Sequence, residues 1–413
     1  MRVLIAGAGP AGTAVAESLR EMGFEGEIFM FTAEPFPPYS PPVLAEYLKT
    51  RGESKTIFWK GEDFAERVGA VFIYGKISAL DMGNRRVFSE DGKEYEYDKL
   101  VIATGARMWI PVKCECPEEG SKEKFYNFKS LTAVNKLMNE LKKGAEKAVV
   151  IGAGFIGMEI ALSLREMGLR VTVVEMMNRI LPRMVNETIA RPLEEEVRKR
   201  GIELRLNSKA VLLRGRETAE ELVLENGEVI KGELFIAATG VKPNVDFLKD
   251  SGLTIGKGIK VNEYLEAGPD VYAGGDVAEV KDIVTGNVYP HAIYPEAVAQ
   301  GKVIAANLMG HRIPYPGGLN MNSLHHFGLP LISEGAMEGE EEPDEEIFLE
   351  KGGNIKRLLL KDAKILRFEL VGEKKGAGLL HWITERRLPF QPYREAFIRG
   401  RLNTAFNMPF VSS

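Results

Sequence analysis

Cysteine is almost missing from this chain: Cys114 and Cys116 are the only two in 413 residues, which excludes a disulfide framework. A C-x-C pair offers two metal ligands, and no matching His or Cys pair lies nearby, so no metal site is expected. Glutamine is as scarce, with Gln300 and Gln391 alone; charge is carried by Glu, Lys and Arg, a bias that leans toward a thermophilic source. No apolar run reaches the roughly 18 residues that span a bilayer. The N-terminus, MRVLIAGAGPAG, opens directly on a strand pattern without an apolar segment and cleavage site before it, and a cytoplasmic location is the expectation. Charge of one sign is not in excess either. With 54 Lys and Arg against 59 Asp and Glu the net charge is −5, so neither nucleic acid nor an anionic membrane is expected as a partner. The length exceeds what one hydrophobic core serves, which predicts two or three domains.

What is present is a duplication. VLIAGAGPAG (3–12) and VVIGAGFIG (149–157) share their glycines: Gly7, Gly9 and Gly12 recur as Gly152, Gly154 and Gly157 at a constant offset of 145 residues. SLREMG stands at 18–23 and again at 163–168, and IATG (102–105) is echoed by AATG (237–240). One supersecondary plan therefore occurs twice. Each copy reads as strand, glycine turn, amphipathic helix and second strand (EIFMFTAE, 27–34; RVTVVE, 170–175), a βαβ unit on a parallel sheet. After about residue 318 the pattern becomes a β-meander, NIKRLLLKDAKILRFELVG (354–372), followed by a short helix, GLLHWITERR.

The glycine spacing has a physical reading. The first allows a tight turn, the second lets backbone approach a pyrophosphate, and the third lets helix and strand pack closely. The helix N-terminus then presents free N–H groups to the phosphates. In GAGPAG the cofactor-binding candidates are Gly7, Gly9, Pro10, Ala11 and Gly12; in GAGFIG they are Gly152, Gly154, Phe155, Ile156 and Gly157. Glu34 and Glu175 end the second strands, where a carboxylate accepts from ribose hydroxyls and repels a 2′-phosphate. No Lys or Arg follows Glu175 until Arg179, which favours NADH over NADPH.

With YDKLVIATGA (97–106), GAGFIGMEIA (152–161) and YAGGDVAEV (272–280), the chain resembles the pyridine nucleotide-disulfide oxidoreductases, flavoproteins with two dinucleotide-binding domains. The resemblance implies an α/β fold: two Rossmann-like, three-layer ββα domains plus a smaller α+β C-terminal domain. FAD falls to residues 1–112 with 240–318, NADH to 113–239, and an interface role to 319–413. It marks Ile77, Thr104, Gly105, Arg107, Gly240, Gly275 and Asp276 as further cofactor-binding residues, with Asp276 on the ribityl chain. Pro295, Glu296 and Ala297 open a helix aimed at the flavin pyrimidine ring, and Glu159 lies near nicotinamide and flavin.

The departures carry as much information. In YSPPVLAEYL (39–48), Pro42 stands where relatives place a single redox cysteine, which excludes thiol–disulfide chemistry at the flavin face. The segment is similar to that of rubredoxin, ferredoxin and nitrite reductases, but Pro41 replaces the family arginine and Glu46 the family lysine that pairs with Glu159. If Glu46 and Glu159 both face the flavin, like-charge repulsion and desolvation keep one protonated; the alternative is Glu46 turned to solvent. His325 and His326 read as exposed loop histidines or as neighbours of the flavin's open face, and EGEEEPDEE (338–346) as a solvated hairpin tip. The tail 388–410, with Phe390, Tyr393, Phe397, Phe406 and Phe410 among arginines, reads as a docking segment.

The expected activity is hydride transfer from NADH to FAD N5, then electron transfer to a rubredoxin-like or other iron–sulfur protein, or to oxygen. The alternatives are the flavin/NAD-binding subunit of a multi-subunit dehydrogenase and a slow redox-sensing flavoprotein. A homodimer or a hetero-complex subunit is expected.

Overall fold

The structure is a computed structural model that describes residues 1–115, 125–215, 220–324 and 328–402. Among these residues nine α-helices occur: α1 (Pro10–Glu21), α2 (Leu44–Lys49), α3 (Phe64–Arg67), α4 (Leu131–Lys142), α5 (Phe155–Glu166), α6 (Glu187–Lys199), α7 (Tyr294–Leu308), α8 (Ala377–Glu385) and α9 (Arg394–Ile398). None of them is long and apolar enough to cross a membrane.

The first sheet has six strands in the order Glu266–Gly268, Val271–Ala273, Lys99–Ile102, Arg2–Ala6, Glu27–Thr32, Ala70–Tyr74. All neighbours are parallel except the first pair. Chain from both sides of the second glycine motif therefore shares one sheet. The second motif sits on its own five-stranded parallel sheet, ordered Phe125–Tyr126, Leu234–Ala237, Lys147–Ile151, Arg170–Val174, Ile202–Arg205.

The strand Lys147–Ile151 shows why this sheet is covered on both faces. Alternate side chains point to opposite sides of a strand. Ala148 and Val150 enter the core under α5 and α6, while Val149 and Ile151 enter a second core against a four-stranded sheet (Lys113–Glu115, Ala210–Arg214, Glu221–Leu224, Val229–Lys231). Leu234–Ala237 divides the same way. A strand buried on both faces must be apolar at every position, as AVVI and LFIA are. The result is the expected three-layer ββα arrangement. Two short strands, Ala106–Met108 and Val241–Pro243, follow the two ATG turns and pair antiparallel, so the chain leaves and re-enters at one place. On these sheets we propose the limits 1–112 with 240–318, 113–239, and 319–413 for three domains.

The last unit is a five-stranded antiparallel sheet, ordered Met321–Leu324, Leu331–Gly335, Lys364–Val371, Asn354–Lys361, Glu345–Lys351. Here two expectations are corrected. Phe390, Tyr393 and Phe397 are not a docking face: they are buried in the core beneath α8, with Phe390 and Phe397 in edge-to-face contact at 5.8 Å. Aromatic bulk there shields apolar surface of the sheet from water. Nor is the acidic run simply solvated, because Glu338 and Glu346 bond Arg357. Phe406, Phe410, His325, His326 and Cys116 lie outside the described residues.

Candidate functional site

The two glycine turns divide into glycines the fold needs and glycines it does not. A Cβ on Gly7 would lie 2.2 Å from the Ala103 carbonyl oxygen, and one on Gly12 would lie 1.9 Å from that of Gly7. The second copy repeats this, with Gly152 at 2.4 Å from the Ala238 oxygen and Gly157 at 2.0 Å from the Gly152 oxygen. The middle glycines differ. A Cβ on Gly9 or Gly154 meets nothing within 4 Å, and both have ordinary negative φ. Nothing in the protein itself demands glycine there. Each is also the N-cap of its helix with no side-chain cap, so no cap side chain occupies the first-turn N–H groups, the requirement of a phosphate cradle.

Three motif segments converge beside the first cradle. Ala11 from the glycine turn, Ala103 from IATG and Ala297 from α7 form one small buried cluster. A Cβ on Gly301 would lie 2.4 Å from the Ala11 oxygen, so α7 crosses α1 at close range. Gly275, at φ +79, donates its N–H to Gln300 Oε1 at 2.7 Å. Pro295 occupies the first turn of α7, where a missing N–H costs nothing. Glu296 accepts from the Tyr315 hydroxyl, and burial raises its carboxyl above the usual range.

The carboxylates are held in different ways. Glu34 accepts from the Tyr39 hydroxyl (2.6 Å), the Thr132 N–H (2.8 Å) and the Thr132 hydroxyl (2.6 Å). Burial and the adjacent Glu34 push the Tyr39 phenol well up. Asp276 pairs with Lys129 at 2.6 Å. Lys129 and Thr132, at the start of α4, thus reach the two acids expected at opposite ends of the FAD site. Sequence reasoning missed both, for these contacts join residues 98 and 147 positions apart. Glu175 is buried and accepts from Ala153 N (2.7 Å) and Met177 N (2.9 Å), bracing its own glycine turn, while Met176 and Met177 stay exposed beside it. Each oxygen of the Glu175 carboxylate accepts one bond and retains a lone pair for a ligand.

The ATG residues serve the crossing strands. Thr104 Oγ1 donates to the Asn244 oxygen and Asn244 Nδ2 to the Thr104 oxygen, both at 2.9 Å, and Arg107 pairs with Asp246 at 2.7 Å. Gly105 and Gly240 have positive φ and open space at Cβ. Ile77 packs into the core of the first sheet. Phe155 and Ile156 open α5, with Ile156 exposed.

Glu159 and Glu46 do not confront each other; of the two readings of Glu46, the structure has it turned to solvent. Glu46 is half-exposed, with 50% of its side chain open to solvent, and lies 3.6 Å from Lys49. Glu159 is pushed up to about 7, and the cause is burial; Lys49 opposes it and Glu46 contributes nothing. One turn along α2, Lys49 supplies the cation that position 46 lacks, anchored at 2.7 Å by Glu166 of α5. Glu46→Gln is therefore expected to leave the Glu159 titration in place, whereas Lys49→Met moves it up by about 0.3–0.5 unit. Carboxyl-carbon NMR checks this; a shift in Glu46→Gln as large as in Lys49→Met overturns the assignment.

Residues 1–301 match the family model of the pyridine nucleotide-disulphide oxidoreductases. The chain belongs to this family. It is 29% identical over 409 residues to the NADH-dependent phenylglyoxylate dehydrogenase subunit epsilon of Aromatoleum evansii, covering 97% of this chain and 95% of that one. It is 29% identical over 382 residues to the assimilatory nitrate reductase electron transfer subunit of Bacillus subtilis, with 91% of this chain covered; there the chain spans about half of its relative, 48%. Among solved structures, the ferredoxin reductase for the CYP199A2 system of Rhodopseudomonas palustris superposes with a TM-score of 0.80 at 28% identity, covering 90% of this chain and 91% of that one. The chain is a flavoprotein oxidoreductase whose cofactors are FAD and a nicotinamide dinucleotide, and the two open cradles fit one dinucleotide each.

Proposed function

We propose that the chain oxidises NADH and delivers the electrons through FAD to a separate acceptor, a small iron–sulfur protein of the rubredoxin kind or oxygen. One observation carries this reading: two like cradles on two parallel sheets face open space, while position 42 is Pro and the thiol of Cys114 lies on a strand of the four-stranded sheet. Reducing equivalents have no protein thiol on which to rest at position 42 and leave as electrons. FAD, when bound, supplies the centre that accepts two electrons and releases them singly or in pairs.

The protein's own residues bind, orient and set charge. Gly7, Gly9, Pro10, Ala11 and Gly12, with Glu34, Lys129, Thr132, Gly275 and Asp276, would hold FAD. Gly152, Gly154, Phe155, Ile156, Gly157 and Glu175 would hold NADH. Tyr294, Pro295, Glu296 and Ala297 place the positive end of the α7 dipole at the flavin end of the site. Glu159, half-buried and raised to about 7 by desolvation, would hold a proton beside α2 and its Lys49.

A second reading, the flavin subunit of a larger dehydrogenase, is favoured by the match to a subunit epsilon along nearly the whole chain. Native mass from the source organism separates the two. The main test is direct: purified protein is yellow with FAD, and NADH bleaches it anaerobically at least about tenfold faster than NADPH, because Glu175 repels a 2′-phosphate. Glu175→Ala narrows that ratio. A colourless protein that takes up no FAD overturns the reading.

A further inference from the structure

Oxidation of NADH moves one proton between the interior and solvent whichever acceptor is used. With oxygen the balance is NADH + O2 + H⁺ → NAD⁺ + H2O2, and one proton enters. With a one-electron iron acceptor it is NADH + 2 Fe³⁺ → NAD⁺ + H⁺ + 2 Fe²⁺, and one proton leaves. Such a reaction needs an acid–base group that touches both the interior and solvent.

We propose that His381 of α8 and Glu334 of the strand Leu331–Gly335 form that proton-exchange pair, an inference that rests on the NADH:acceptor reading above. His381 Nδ1 and Glu334 Oε2 are 3.0 Å apart. The exposure is split: the His381 side chain is 42% open to solvent and that of Glu334 is 0%. The second carboxyl oxygen of Glu334, Oε1, is buried with no hydrogen-bond partner among the described residues. An unpaired buried carboxylate oxygen is costly; a proton resting on it lowers the cost by neutralising the charge, which is what a proton-holding site requires.

The surroundings point the same way. Glu296 in the first turn of α7 acts electrostatically on both Glu334 and His381. Glu296 bonds Tyr315 and feels His291, which precedes α7. Glu385, one turn beyond His381 on α8, also acts on both members of the pair. Three carboxyls thus crowd one imidazole, and Glu334 holds the His381 imidazolium above its ordinary range while burial holds Glu334 itself up. With the imidazole holding its proton to higher pH and the carboxyl more ready to take one, a proton can pass between the two across their 3.0 Å contact. Glu159 stands apart from this cluster, on α5 beside Lys49.

The test uses the full chain loaded with FAD and labelled in histidine. His381, assigned through His381→Gln, is titrated by NMR in the oxidised protein and after reduction by dithionite, which bypasses NADH. The expected result is an upward move of its midpoint on reduction by at least about 0.3 unit, as added negative charge nearby requires. In Glu334→Gln the midpoint drops in both redox states, because the hydrogen bond and charge that raise it are gone. Both variants lose about tenfold in the rate of flavin reoxidation by oxygen at pH 8 while KM for NADH stays put, and His381→Lys restores part of the rate. If Glu334→Gln does not fold, His381→Gln and His381→Lys carry the kinetic arm. An unmoved His381 midpoint in a yellow, reducible protein, or reoxidation profiles of the variants that overlie wild type, overturns the pair alone. A protein that never turns yellow overturns the reading beneath it as well.

Discussion

Glu369→Ala is expected to destabilise the third domain by about 3–5 kcal/mol, the usual result of removing one partner from a buried ion cluster. Glu369 is 0% exposed and its Oε1 accepts from Arg367 and Arg357, two arginines that are themselves buried in the same sheet. Without it, Arg357 keeps Glu346 at 2.8 Å and Glu338 at 3.0 Å, whereas Arg367 is left with Glu338 at 3.9 Å as its nearest carboxylate. The loss reaches beyond the sheet, since Arg367 also bonds the Ala336 carbonyl and Ser333, and Ser333 donates to the Met184 carbonyl of the second unit. Hydrogen exchange in the strand Lys364–Val371 reads the local stability directly. A loss under about 1 kcal/mol shows that the cluster relaxes or hydrates and carries little of the fold's stability.

Glu159→Gln is expected to act in the opposite direction. Its folded carboxyl, raised to about 7 from the ordinary 4.5, binds a proton more tightly than the unfolded chain does. Wild type therefore has the full benefit of a neutral Glu159 below pH 4.5, loses it progressively up to about pH 7, and stays without it above. Glutamine is neutral throughout. The variant gains about 2–3 kcal/mol over wild type at pH 8 in the cofactor-free protein and nothing at pH 4. Urea unfolding at the two pH values checks this, and an equal gain at both excludes titration of Glu159 as the cause. A half-buried acid that costs stability at neutrality is the signature of a residue retained for chemistry.

The two units, their glycines and their acids were legible because each signal is local: a turn, a helix start and a strand tip lie within about 30 residues. Glu46 was not, because its rotation about α2 depends on how that helix packs on α5, and only the packed structure puts Lys49 there. Lys129 and Thr132 carry no motif, and their partners lie in another unit. The aromatic tail was misread for a different reason. Aromatics mixed with arginines suit an interface and a domain core equally well, and only the sheet waiting beneath Phe390 and Phe397 decides between them.

The crossing of Ala106–Met108 with Val241–Pro243 has a consequence for ancestry. Because Pro243 sits opposite Ala106 and Val241 opposite Met108, the intervening chain has its entrance and exit side by side. Such a segment is a cassette: joined across that crossing, the host sheet keeps every one of its strands. The repeated SLREMG segments, one on each side of that crossing, are what a duplication joined at a single seam would leave.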